Sequence, residues 1–231
     1  MLVEVHTLWQ HVRNGLVEGS AQQATDARLY HGLVTRRHIR QQTAAAILAG
    51  GRASRFSGRD KSRLIVEGQS IIVRQVEILQ QVAGEIFIVA NDAERFADLE
   101  LAVYPDLVAG LGAIGGLQTA LERARADTVI VVACDLPFLH AGLMERLVER
   151  SAGCDGAWVR SSRGVEPLLA CYRRQARDLV RRQIAAGRLK AGDLGSVLRM
   201  AEIGGEELAG FGTEERLLAN LNTPDDYARI R

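Results

Sequence analysis

The stretch from Thr43 to Lys61, TAAAILAGGRASRFSGRDK, limits the possible folds of this chain more than any other. It begins with a small apolar run, Ala44 to Leu48, with the length and character of a strand buried on both faces. Gly50 and Gly51 end the run where a backbone can turn sharply and approach a ligand closely. A polar loop comes next, carrying Arg52, Arg55, Gly58, Arg59 and Lys61 and almost nothing to bury. A buried strand that empties into a glycine-rich basic loop suits phosphate, because backbone N–H groups can converge there.

Two common phosphate loops do not fit it. The P-loop needs Gly-x-x-x-x-Gly-Lys-Ser/Thr, but Gly58 is followed by Arg59, and Lys61 stands three residues past the glycine. The dinucleotide fingerprint needs Gly-x-Gly-x-x-Gly opening into a helix, which Gly50-Gly51 followed by Arg52 to Phe56 does not supply. The lysine itself is informative. Of the 29 basic residues only Lys61 and Lys190 are lysines, and Lys offers a phosphate a compact point charge where Arg makes a wide fork.

The rest of the chain reads as alternating strands and helices. An amphipathic helix is expected over Gln69 to Val82, with Ile72, Val76 and Leu79 on one stripe. Glu85 to Ala90 reads as a second buried strand ending at Asn91, and Leu101 to Tyr104 as a third ending at Asp106. The glycine-rich turn Gly110 to Gly116 opens a helix reaching about Arg125. Thr128 to Ala133 is the most apolar strand and ends at Cys134-Asp135, before a helix from about Ala141 to Arg150. Strands and helices joined by short connections predict a mostly parallel sheet covered on both faces. In the second half, Gly156 to Arg160 and Pro167 to Tyr172 read as strands. Arg173 to Ala186 reads as a helix with a basic outer face, and 193–200 as a further short helix. Thr223 and Pro224 mark a helix start, with Thr at the N-cap, Pro at N1 and acids in the first turn.

Residues 1–42 differ in character from the remainder of the chain. They hold four of the five histidines (His6, His11, His31, His38) at irregular spacings, with a short amphipathic helix expected over Leu2 to Leu16. The expected organisation is therefore an N-terminal extension over 1–42 and one domain over 43–231. A net charge of +1 gives no support for nucleic-acid or membrane-surface binding. Cys134, Cys154 and Cys171 are widely spaced without a Cys-x-x-Cys, which argues against a zinc site or disulfide framework and fits a reducing compartment. With no apolar run approaching 18 residues and no secretory pattern, a cytoplasmic protein is expected.

In open parallel sheets, ligands bind beyond the carboxyl ends of the strands. Polar residues recur at those ends here: Gly50-Gly51, Asn91, Asp106 and Asp135. Asp135 directly succeeds the most buried strand and precedes Leu136-Pro137, so the backbone turns away and leaves the carboxylate at the lip. A hard Mg²⁺ ion takes one or two such carboxylates and completes its shell with water and phosphate oxygens.

Taken together, Leu-Ala-Gly-Gly with Arg-Phe-x-Gly-x-Asp-Lys, Cys134-Asp135-Leu136-Pro137, the glycine-rich turn after Asp106, and Asn220-Leu-Asn222-Thr-Pro-Asp-Asp resemble the molybdenum cofactor guanylyltransferases over about residues 43–231. The resemblance implies a single Rossmann-like three-layer α/β/α domain of the nucleotide-diphospho-sugar transferase type. It implies GMP transfer from GTP to the molybdenum cofactor, with Mg²⁺ and pyrophosphate release, and molybdoenzymes or cofactor-delivery proteins as further partners. Position by position, it assigns the nucleotide to Leu48, Ala49, Gly50, Gly51, Lys61, Asn91, Asp106 and Asp135, and catalysis to Lys61, Asp135 and Arg55. It assigns the metal to Asp135, with Asn222 a weaker ligand, and the anionic acceptor to Arg188 and Lys190. Phe56 stands where the family usually has Met, Ala113 where it often has Pro, and Glu166 where it has a small or polar residue. A cytidylyltransferase or sugar-nucleotide pyrophosphorylase would use the same fold and loop, and a non-catalytic nucleotide or cofactor carrier is the alternative of another class.

Overall fold

All six residues of the first strand, β1 (Thr43–Leu48), are buried, and β1 lies third from one edge of a seven-stranded sheet. The computed structural model describes residues 39–50, 61–221 and 226–227. In chain order β1 is followed by β2 (Ile65–Val66), β3 (Gln69–Ser70), β4 (Glu85–Val89), β5 (Ala102–Tyr104), β6 (Thr128–Ala133), β7 (Gly156–Ser161), β8 (Gly164–Arg173) and β9 (Met200–Ile203). The helices are α1 (Ile71–Val82), α2 (Ala113–Arg123), α3 (Ala141–Arg150), α4 (Arg177–Ala185), α5 (Gly205–Ala209) and α6 (Glu214–Leu217). Sheet order is β5-β4-β1-β6-β8-β7-β9, while β2 and β3 form a separate hairpin.

Alternation along β1 assigns its two faces. Ala45 and Ile47 join Ile72, Val76 and Leu79 of α1 and Leu143, Met144 and Leu147 of α3 in one core. Ala44, Ala46 and Leu48 join Ile114, Leu117 and Leu121 of α2 and Val180 of α4 in the other. Three layers result, as expected. Close approach matters on the second face: a Cβ at Gly116 would sit 3.1 Å from Leu48 Cδ1, so the glycine lets α2 lie against the end of β1.

Strands β5, β4, β1 and β6 run parallel. Strand β8 then pairs antiparallel with β6, β7 antiparallel with β8, and β9 parallel with β7. The sheet is thus mostly parallel, with one reversed strand.

Three expectations need correcting. Gln69 and Ser70 do not begin the helix; they pair with Ile65 and Val66 across a turn whose central residues, Glu67 (φ 50°) and Gly68 (φ 84°), both have positive φ. The helix expected from Arg173 starts at Arg177, because Arg173 and Arg174 keep donating across the sheet edge, to Asp155 O and Asp127 O, both at 2.8 Å. The helix expected over 193–200 is instead a 3₁₀ segment, Ala191–Ser196, followed by β9, whose edge pairing with β7 outweighs its local pattern. The helix expected over Leu2 to Leu16 lies outside the described residues. So does the 222–225 helix start, although Asp226 and Tyr227 are helical. Among the described residues no helix is long and apolar enough to cross a membrane.

Candidate active site

The register of the parallel strands lines up their carboxyl ends. Tyr104 lies opposite Val89, Val89 opposite Leu48, and Leu48 opposite Ala133. The ladder continues one residue further, with Ala90 N donating to Tyr104 O, Ala49 N to Val89 O and Cys134 N to Leu48 O at 2.9–3.1 Å. The loops leaving these strand ends therefore emerge along one edge. Leu48, Ala49, Gly50, Asn91, Asp106 and Asp135 all line one cleft of about 730 Å³ there.

Asn91 and Asp106 brace each other across that cleft. Asn91 Nδ2 donates to Asp106 Oδ2 (3.0 Å) and the Asp106 amide donates to Asn91 Oδ1 (2.9 Å). Gly50 abuts the pair, since a Cβ built on it would lie 3.6 Å from Asp106 Oδ2. Gly110 (φ 85°) and Gly112 (φ 63°) turn the chain into α2 at the cleft wall. Thr119 holds that turn by accepting from the Leu107 amide (3.0 Å) while donating to Gly115 O (2.9 Å). The N-terminus of α2 therefore faces the cleft, where its free N–H groups and dipole favour phosphate.

A second cleft of about 900 Å³ adjoins the first, and Ala113, Ala133, Asp135 and Leu168 line both. Because β8 is antiparallel, its first residues project past the edge where the parallel strands stop, bringing Arg163, Glu166 and Pro167 into this second wall. Glu214, Leu218, Asn220 and Leu221 line this cleft as well. Glu214 accepts from the Ser162 amide (2.9 Å) and hydroxyl (2.5 Å), and these bonds hold its carboxyl below the usual range.

Asp135 stands where the clefts meet. Its Oδ1 is buried and receives no hydrogen bond among the described residues. Burial pushes the carboxyl up, and the positive charge of Lys61 opposes that shift. A buried carboxyl oxygen without a donor, acted on by a lysine's charge and lining the same clefts as Ala113 at the start of α2, fits a hard divalent cation with phosphate oxygens around it.

Among the residues expected at the site, then, Leu48, Ala49, Gly50, Asn91, Asp106 and Asp135 come together, and Lys61 acts on Asp135 through its charge. Gly51, Arg55 and Asn222 lie outside the described residues. Arg188 lines a separate hollow with Trp158 and Arg160, and its guanidinium is 3.5 Å from Gln183 Oε1. Lys190 is exposed, 4.0 Å from Asp193. The reversed strand places the 163–167 turn, and bonds to Ser162 place Glu214. Sequence reasoning singled out that turn only for carrying Glu166 and passed over Glu214. It also passed over Gln75, although a polar residue on the apolar stripe of Ile72, Val76 and Leu79 was a visible signal.

The sequence matches the MobA-like NTP transferase domain family over residues 45–202. It is 33% identical over 190 residues to a protein of Pelotomaculum thermopropionicum named "Probable molybdenum cofactor guanylyltransferase", covering 82% of this chain and 92% of that one. A protein of the same name from Carboxydothermus hydrogenoformans is 34% identical over 190 residues, covering 82% and 95%. The fold is similar to the crystal structure of molybdopterin-guanine dinucleotide biosynthesis protein A from Archaeoglobus fulgidus, with a TM-score of 0.67 and 30% identity over 81% of this chain and 96% of that one.

Proposed function

The chain belongs to the MobA-like NTP transferase domain family, and on that premise we propose that it transfers GMP from GTP to the molybdopterin form of the molybdenum cofactor. The observation that carries this reading is the pair of clefts sharing Asp135, one for each substrate of a two-substrate transfer. The nucleotide occupies the cleft at the ends of β1, β4 and β5, and the acceptor the cleft between β8 and the 214–221 segment. Relatives named as guanylyltransferases, covered over more than nine-tenths of their length, favour GTP over CTP or a sugar-nucleotide reaction.

In the reaction an oxygen of the acceptor's terminal phosphate attacks the α-phosphorus of GTP. The bond from that phosphorus to the α,β-bridging oxygen breaks, its electron pair leaves with pyrophosphate, and a new P–O–P linkage joins GMP to the acceptor. No enzyme nucleophile is needed, so catalysis consists of alignment and charge neutralisation. Gly50 and the first N–H groups of α2 cradle phosphate oxygens, while the braced Asn91–Asp106 pair orients the nucleoside. Lys61, with Arg55, stabilises the charge that gathers on the leaving pyrophosphate. Asp135 would hold a divalent cation, which we take to be Mg²⁺ and which would supply positive charge for the phosphate oxygens when bound. Glu166 and Glu214 offer acceptors to the N–H edge of a pterin, and Arg163 a charge for the acceptor phosphate.

Pyrophosphate release measured with each of the four nucleoside triphosphates, with and without molybdenum cofactor, tests the reading. Release with GTP that requires the acceptor is expected. A preference for CTP, or turnover with a sugar phosphate, would replace it with the alternatives, and GTP binding without turnover would leave a carrier.

A further inference from the structure

Gln75 occupies the middle of α1 among apolar neighbours and is only 1% exposed. Its side-chain amide does not face water or another side chain. Nε2 donates to Ala133 O (2.8 Å) and to Leu136 O (2.9 Å), the carbonyls on either side of Cys134-Asp135. Both protons of one NH₂ group are used, so a single side chain bridges the turn that carries the carboxylate. Adjacent carbonyls are held as well: Leu221 N donates to Asp135 O (3.3 Å) and Arg74 Nε to Pro137 O (3.2 Å). All of these bonds end on main-chain oxygens, leaving the Asp135 side chain aimed at the clefts.

The arrangement has a cost that identifies its purpose. Gln75 Oε1 is buried and accepts no hydrogen bond among the described residues. An orphaned amide carbonyl in a core is destabilising, and α1 has apolar residues at every neighbouring core position. A side chain chosen for packing alone would carry no such oxygen.

We propose that Gln75 is a positioning residue for the transfer: its amide fixes the 133–136 turn, and through that turn the direction in which Asp135 presents its carboxylate. The proposal rests on reading Asp135 as the ligand of the divalent cation. It requires no contact between Gln75 and either substrate. It explains why α1, whose other buried side chains are all apolar, carries one amide opposite the carboxyl end of β6.

The test uses the full chain, with Gln75→Met to keep the length and remove both donors. Gln75→Asn keeps the amide but, being shorter, reaches at most one carbonyl. Mn²⁺ binding in the presence of GTP is titrated by electron paramagnetic resonance, GTP affinity is measured in chelator, and pyrophosphate release is followed in parallel. Loss of a group that orients a metal ligand typically weakens metal affinity or activity by about 10–100-fold. Gln75→Met is expected to raise the Mn²⁺ dissociation constant and lower kcat within that range, with Gln75→Asn intermediate. GTP affinity without metal should stay within about twofold, since only the metal ligand is misdirected. Should Gln75→Met fail to fold, Gln75→Asn alone decides. Variants that lose melting temperature yet keep Mn²⁺ affinity and kcat would overturn the proposal and leave Gln75 a packing residue. Asp135→Asn is titrated alongside: if it binds Mn²⁺ as tightly as the unaltered protein, the metal assignment falls and this inference with it. If only the Gln75 variants are unaffected, the inference alone fails.

Discussion

Replacing Asp135 by Asn separates chemistry from architecture at this site. The substitution keeps size and polarity and removes the charge. The turn should survive it, because Gln75, Leu221 and Arg74 hold the main-chain oxygens of 133, 135, 136 and 137 and none of them grips the Asp135 side chain. What disappears is one preorganised electrostatic group at the junction of the two clefts, a loss that typically lowers kcat by about 10²–10³, or roughly 3–4 kcal/mol of transition-state stabilisation. Stability should move the other way. Burial raises the carboxyl above its ordinary value of 3.8, so in metal-free buffer the folded state holds this proton more tightly than the unfolded chain does. Such a group costs stability as pH climbs past the unfolded value, and at pH 7 the neutral amide should leave the melting temperature unchanged or higher. The assays are steady-state pyrophosphate release at saturating GTP and thermal unfolding in chelator, both on the same preparation. Turnover within about threefold of the unaltered enzyme, a small fraction of the expected loss, combined with a lower melting temperature would refute the reasoning. It would make Asp135 a structural cap.

Asn91→Ala removes both bonds to Asp106 and should raise the KM for GTP about tenfold, a loss of roughly 1.4 kcal/mol, with a smaller effect on kcat; steady-state kinetics decide. Cys171 is fully buried, and its thiol is pushed up to about 12. Iodoacetamide at pH 8 should therefore modify it only after unfolding, as read by mass spectrometry. Because folding raises this value, the associated stability is complete below about pH 9 and is lost between about 9 and 12. Arg40 Nε donates to Ala83 O (3.3 Å) and Thr43 Oγ1 to Ile39 O (2.7 Å). Deleting residues 1–38 should consequently leave folding and GTP affinity intact, whereas deleting 1–42 should lower the melting temperature by a few degrees, as expected from the loss of about 1 kcal/mol. For Arg188 and Lys190, which lie outside both clefts, replacement by Ala should weaken acceptor binding and spare GTP if either reaches the acceptor. Unchanged affinity for both ligands would confine the acceptor to its cleft.

How much of this was readable from the chain depended on the range of the interactions involved. The apolar run at 43–48, the stripe on α1 and the valine-rich β6 are local patterns, and each formed an element close to its expected place. Because a buried strand must sit between two helical layers, these runs also determined the layered fold, and the polar residues at their carboxyl ends marked the edge carrying the clefts. The loop and turn motifs did the same for the family. The direction of β8 was not legible: its residues suit either orientation, and only pairing with β6 at one side and β7 at the other selects the antiparallel one. That choice brings Glu166 into the cleft that Asp135 also lines, 31 residues away in sequence. Strand β9 escaped notice for the same reason, since an edge strand of four residues draws its order from its neighbour. Gln75 shows the division most clearly. Sequence placed it only within an amphipathic helix, but its meaning lies in two carbonyl oxygens 58 and 61 residues further along the chain. Periodicity reports which residues are buried, while the partners of a buried amide are set by how separate segments meet in three dimensions.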